Sequence, residues 1–309
     1  IIAMGQSALR LMVTGSQNIA IGANTLAAST SPSYCTAVGH AALNANATSY
    51  NVGVGYHALL SNSTGARNVA VGALALDGCT TSSDNTAVGY QALGGACTGV
   101  DNAAFGSGAL VTCGTGAENT AIGSGSLDAL TTGDNSVAVG RYALKDCSTG
   151  SGNVAVGLNA LETCTTGANN VAMGTQALES LTTQNDTVAI GYQALQQMTT
   201  GAGNCAVGHL AGAVVTTGND NAIFGYYAGD VLTTGSNNTL VGSNAGGGLS
   251  GGYDNTFVGR VAGLAETTGY QNTAIGKDCL KAMVGGTNNT GVGKGCLQAV
   301  TGGIANTGT

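Results

Sequence analysis

Apolar and polar residues alternate along this chain in a frame that repeats every seventeen residues. In the stretch NVAVGLNALETCTTGAN, Asn153 to Asn169, Val154 and Val156 precede Gly157, a second apolar pair follows at Ala160 and Leu161, and a Thr-Thr-Gly turn comes near the end. The next seventeen residues, NVAMGTQALESLTTQND, repeat the order almost residue for residue. The glycine recurs eighteen times from Gly5 to Gly293, at intervals of seventeen except for the sixteen between Gly39 and Gly55. A short fixed period identifies a repeat architecture before any local propensity is weighed.

With the repeat numbered from the residue four before that glycine, each position has its own character. Position 1 is Asn in fourteen of eighteen copies, with Cys35, Ser136 and Thr187 among the exceptions. Position 4 is apolar in every copy, position 5 is Gly, position 8 is mostly Ala, position 9 is Leu in fourteen copies, and positions 13 to 15 read mostly Thr-Thr-Gly. Seventeen residues are too few for a helical hairpin, whereas Asn-Val-Ala-Val-Gly, β-branched and bounded by glycine, reads as a short strand. The segment around Ala-Leu reads as a second strand, returned to the start by the Thr-Thr-Gly turn. The pattern therefore predicts an all-β parallel β-roll or β-solenoid of about eighteen 17-residue coils, paired in parallel at ~4.8 Å. The glycine of position 5 serves either positive φ or close backbone approach. Stacked asparagines at position 1 form an amide ladder.

Four consecutive copies exchange volume between two positions. Position 9 becomes glycine at Gly212, Gly229, Gly246 and Gly263, while position 3, elsewhere Ala or Gly, becomes Ile223, Leu240 and Phe257 in three of them. Cores resist both voids and overpacking, so positions 3 and 9 are expected to share one packed layer, within a coil or between neighbours. Side chains alternate across a strand, so positions 2 and 4 then face the other way. Val38, Val54, Val71, Val88, Val139 and Val156 belong to that second face. An apolar stripe of this length exceeds what a monomer normally exposes, which predicts a homo-oligomer packed as a parallel bundle about a common axis.

Composition adds exclusions. Only 7% of the 309 residues are charged and the net charge is −7, so no basic stripe for nucleic acid is expected. The hydrophobic fraction of 43% falls in register, unlike a disordered chain. No apolar run approaches a membrane span and no signal peptide is visible. Residues 1–309 read as one continuous array, and neither end carries the atypical capping repeat of a solenoid, which suggests a segment of a longer fibre.

Chemistry is sparse. His40, His57 and His209 lack the further ligands a zinc site requires, and Asp84, Asp101, Asp186, Asp220 and Asp254 stand at position 17, where they cap turns or line a shallow acidic stripe. No nucleophile elbow, phosphate loop or metalloprotease helix occurs; no catalytic, metal or cofactor role is expected. Cys79, Cys113, Cys147 and Cys164 fall at position 12, and Cys279 and Cys296 at position 8. They read as small buried hydrophobes or, for Cys147 with Cys164 and Cys279 with Cys296, as disulfides between stacked coils. In-register stacking leaves the latter Cβ atoms slightly too far apart. Glycosylation sequons stand at Asn46, Asn62, Asn185, Asn237 and Asn288. The consecutive threonines point to opposite faces of a strand, unlike an ice-binding array.

The copies NSVAVG at Asn135 to Gly140, NTAVG, NVAVG and NTAIG resemble the head repeats of trimeric autotransporter adhesins, and NTAVGYQAL with its Thr-Thr-Gly turn is similar to arrays in phage and algal-virus tail fibres. The resemblance covers nearly the whole chain, although the seventeen-residue period is longer than the adhesin head repeat and the cysteines depart from it. It implies a left-handed, trimeric β-roll on a cell or virion surface that binds a receptor or glycan. A structural extracellular fibre for attachment is the leading expectation. A self-polymerising filament with no receptor role comes next, and a β-helical polysaccharide-acting enzyme last.

Overall fold

A computed structural model describes residues 1–309 as two compact units, Ile1–Asn153 and Val154–Thr309. The chain is all-β, a parallel β-solenoid of about eighteen turns with nineteen short strands and no helix. The first unit holds nine three-residue strands, from Ile2–Met4 to Val137–Val139, and the second holds ten, from Val154–Val156 to Thr307–Gly308. Each strand occupies positions 2 to 4. Within each unit successive strands pair in parallel and in register, as Val69, Ala70 and Val71 do with Thr86, Ala87 and Val88, or Val154, Ala155 and Val156 with Val171, Ala172 and Met173. The sixteen-residue interval does not break this ladder, because Thr36 still pairs with Val52 and Val38 with Val54. Tyr50 keeps the positive φ of position 17, so the deletion falls in the preceding turn, where the Thr48 hydroxyl donates to the carbonyl of Gly65.

Each coil has one strand, not the expected two. The Ala-Leu segment is a tight turn in which positions 7 and 9 both take left-handed φ, as at Gln176 (58°) and Leu178 (53°). Backbone bonds then run in two directions. Gln176 N donates to Leu158 O in the coil before (2.8 Å), and Leu178 N to Ala194 O in the coil after (3.1 Å). Ala177 N closes back on Gly174 O at 3.3 Å. A leucine held left-handed costs roughly 1–2 kcal/mol, and full burial of its side chain returns ~1.5–3 kcal/mol. Burial wins, and all the position 9 leucines from Leu26 to Leu280 are completely buried. Apolar periodicity conceals this conformation, because leucine is not a residue that signals it.

The glycine of position 5 is required on both counts. Gly157 has φ +140°, and a Cβ there would lie 2.4 Å from the carbonyl oxygen of Gly174. No other residue fits such a column.

The volume exchange marks a shared inner layer. Position 3 is buried in every strand but the terminal ones, between partly exposed neighbours. At Gly246 (φ +62°) an added Cβ would lie 2.8 Å from Leu240 of its own coil and 3.4 Å from Phe257 of the next. At Gly212 the nearest atom belongs to Ile223 of the following coil, at 2.9 Å. The layer therefore packs both within and between coils.

The position 1 asparagines carry more than a side-chain ladder. Asn68 Nδ2 donates to the carbonyl of Ser82 at 2.8 Å, closing its own coil. Its Oδ1 accepts the backbone N–H of Asn85, the first residue of the next coil, at 3.0 Å. Direct amide-to-amide bonds run without interruption in the second unit from Asn204 to Asn306, at 2.8–3.1 Å. Ser136 and Thr187, where Asn is missing, keep weaker substitutes through hydroxyl bonds of 3.4 and 3.3 Å to Asp134 O and Asn185 O.

Candidate interaction surface

Strand geometry turns positions 2 and 4 outward. Their side chains are partly exposed while position 3 between them is sealed. On the first unit this face carries Val38, Val54, Val71, Val88 and Val139, together with Phe105 (40% exposed) and Ile122 (42%). On the second it carries Val156, Met173, Ile190, Phe224 and Ile275, and Cys205 stands there at position 2. All six valines inferred from alternation lie on it.

Next to the strand, position 6 forms an exposed row of its own. In the second unit it runs through Tyr192, His209 and Tyr226, whose rings stack at 5.2 and 5.1 Å. In the first unit His40 stacks on Tyr56 at 5.6 Å and Tyr56 on His57 at 3.8 Å. His40 and His209 are thus rungs of the position 6 ring stacks, and His57, one place on at position 7, packs against Tyr56 of its own coil. Three coils in succession in the second unit place Arg260, Lys277 and Lys294 at position 6, all exposed. The overall charge hides this local basic row.

Among the acids of position 17, Asp84, Asp101 and Glu118 follow one another in three successive coils, while Asp186, Asp220 and Asp254 stand singly. Asp84 forms a two-pronged pair with Arg67, both contacts 2.6 Å, and the hydrogen bond from that guanidinium holds its carboxyl below the usual range. At positions 13 and 14 the threonines divide: Thr199, Thr216 and Thr233 donate to the next coil's carbonyls at 3.2, 3.1 and 2.8 Å, while their neighbours point to solvent. No pocket indents the chain, and no group of three or more His, Cys, Asp or Glu is placed to hold a metal ion.

Two of the five sequons cannot carry a glycan in the folded chain. Asn46 and Asn62 fall at position 12 and are buried, with Asn62 Nδ2 donating to Asn46 Oδ1 at 2.7 Å and to Gly65 O at 2.8 Å. Asn185, Asn237 and Asn288 are exposed. Cys147, Cys164, Cys279 and Cys296 are all buried, and no disulfide joins either pair in this structure. Cys79, Cys97 and Cys113 are buried in three successive coils, and their thiols donate to backbone carbonyls, as Cys113 Sγ does to Gly116 O at 3.2 Å. The neighbouring Cys97 thiol, and then burial, pushes Cys79 and Cys113 up.

One buried charge escaped the sequence reading. Glu266 takes the apolar position 12 and is completely buried. Its Oε1 accepts the backbone N–H groups of Thr267, Gly269 and Gly285 at 3.0, 2.8 and 2.7 Å, and its Oε2 that of Gly286 at 3.2 Å. The one available sign was a carboxylate in a column otherwise filled by Leu, Met, Val, Cys, Ser or Asn.

No protein-family model matches the chain, and no curated protein matches its sequence.

Proposed function

We propose that this chain is a structural segment of an extracellular fibre on a cell or virion surface, built for attachment, and that copies of it pack side by side through the outward faces of positions 2 and 4. The observation that carries the reading is that face. Its apolar residues recur coil after coil, bulky and half exposed, opposite an inner layer that already fills the coil. Burial of apolar area is the dominant drive for association, and isolated apolar residues need no explanation whereas contiguous stripes do. A parallel bundle of three chains covers the stripe along its length, as the likeness to adhesin heads also implies.

Sedimentation velocity of the purified chain over a hundredfold range of concentration tests this. The expected result is a discrete homo-oligomer, with three chains as the simplest case. A chain that stays folded and monomeric throughout would remove the reading.

A further inference from the structure

The second unit carries one concentrated patch of positive charge. Four of the chain's eight basic residues, Arg260, Lys277, Lys281 and Lys294, fall within residues 260–294. Of the two acids in that segment, Glu266 is sealed in the interior, and Asp278, bridged by Lys281 at 3.3 Å and Lys277 at 3.8 Å, offsets one of the four charges. Arg260, Lys277 and Lys294 occupy the same position in three successive coils, so their charges form a straight row. In-register pairing of the strands before them sets their backbone pitch at about 4.8 Å. Burial acts to raise the Asp278 carboxyl, but the hydrogen bond from Lys281 and the charges of Lys281, Lys277 and Arg260 hold it below its usual value.

We infer that this row is a binding surface for a linear anionic polysaccharide, its carboxylate or sulfate groups spaced along Arg260, Lys277 and Lys294. The inference deepens the attachment reading by naming a receptor class. One charge per coil at this pitch matches a ligand that presents an anion on each sugar, a spacing comparable to the length of one sugar residue. The row is flat and has no cleft, which suits an extended polymer held at several points, where linked weak contacts multiply. Nucleic acid fits less well. Single strands are gripped by aromatic faces interleaved with the cations, whereas Arg260, Lys277 and Lys294 follow one another at position 6 with no ring between them.

The test uses the full chain on polygalacturonate and, separately, on a sulfated glycan such as heparin, with affinity followed against salt. The expected result is salt-sensitive binding to at least one of them, and the two arms distinguish carboxylate from sulfate recognition. Arg260→Glu/Lys277→Glu/Lys294→Glu should lose affinity at least tenfold, while Arg260→Lys/Lys277→Arg/Lys294→Arg retains it. Arg10→Glu/Arg67→Glu/Arg141→Glu makes the same change in net charge elsewhere and should bind as the parent does. Absence of binding by the parent, equal loss in both reversed triplets, or tighter binding to single-stranded DNA than to either polysaccharide would each overturn the inference. A chain that forms the oligomer and yet ignores both polymers would remove this inference while leaving the fibre reading in place.

Discussion

Glu266 Oε1 lies 2.7 Å from the amide nitrogen of Gly285, nineteen residues further along the chain. In regular coils that part of the turn is stitched by a carbonyl, as where Thr165 N and Thr166 N both donate to Thr182 O. In the turn at Val284–Gly286 the carboxylate of the preceding coil supplies the acceptor instead. An unpaired buried donor costs about 1–3 kcal/mol, and two of the four donors to Glu266, those of Gly269 and Gly286, are buried, so Glu266→Ala should destabilise the second unit by several kcal/mol. Glu266→Gln, which keeps one acceptor oxygen, should cost less. Repeat arrays need not unfold in one step, so hydrogen exchange is the better measure: the amides of Thr267, Gly269, Gly285 and Gly286 should lose protection first.

Asn68 makes a parallel case at a regular position. Asn68→Ala removes both the donor to Ser82 O and the acceptor for Asn85 N–H, and leaves two buried backbone groups unpaired. About 2–4 kcal/mol should be lost. Asn68→Ser should cost less, because Ser136 shows that a hydroxyl at this position still meets the chain. Urea denaturation of the three proteins orders them; equal stability of Asn68→Ala and the parent would refute the coil-closing role.

The architecture was legible in the sequence because the period is rigid. Gly5 to Gly293 set the coil, the alternation around Ala70 set its faces, and Gly246 with Leu240 revealed the inner layer. Other features stayed hidden for physical reasons. Leu178 gives no sign of left-handed backbone, so the turn read as a strand. Asn46 and Asn62 match a glycosylation motif that is blind to burial. Arg260, Lys277 and Lys294 were visible as the same position in successive copies, yet a whole-chain charge averages such a row away.

The inner layer offers a test of coupling. Gly246→Leu places a side chain where Leu240 already lies, and overpacking of this kind costs roughly 1–3 kcal/mol. Leu240→Ala alone leaves a cavity and should also destabilise. Together they recreate the ordinary arrangement of Ala155 with Leu161, so the double variant should be more stable than the sum of the two, by at least about 1 kcal/mol. Additive effects would mean that positions 3 and 9 do not share a layer.

Thiol counting tests the cysteine columns. Eight of the nine cysteines are buried and Cys205 is half exposed, and burial pushes its thiol up. Native protein should therefore show a single, slowly reacting thiol in an Ellman assay, and nine after unfolding without reductant. Two disulfides would take four thiols out of the second count.

The outward face gives the sharpest prediction for assembly. Val71, Val88 and Val156 stand at position 4, exposed or half exposed, with the sealed alanines Ala70, Ala87 and Ala155 beside them. Aspartate at these three positions has water to face in a free chain, so it should leave the coils intact. In a bundle the same carboxylates are driven into an apolar contact, where an unpaired charge costs several kcal/mol. Val71→Asp/Val88→Asp/Val156→Asp should therefore convert the oligomer to a folded monomer, read by sedimentation with the β circular-dichroism signal retained. Cys205 shares the face at position 2, and its reaction should quicken as the partner chains leave. An unaltered oligomer, or a Cys205 equally reactive in both proteins, would place the contact on another surface.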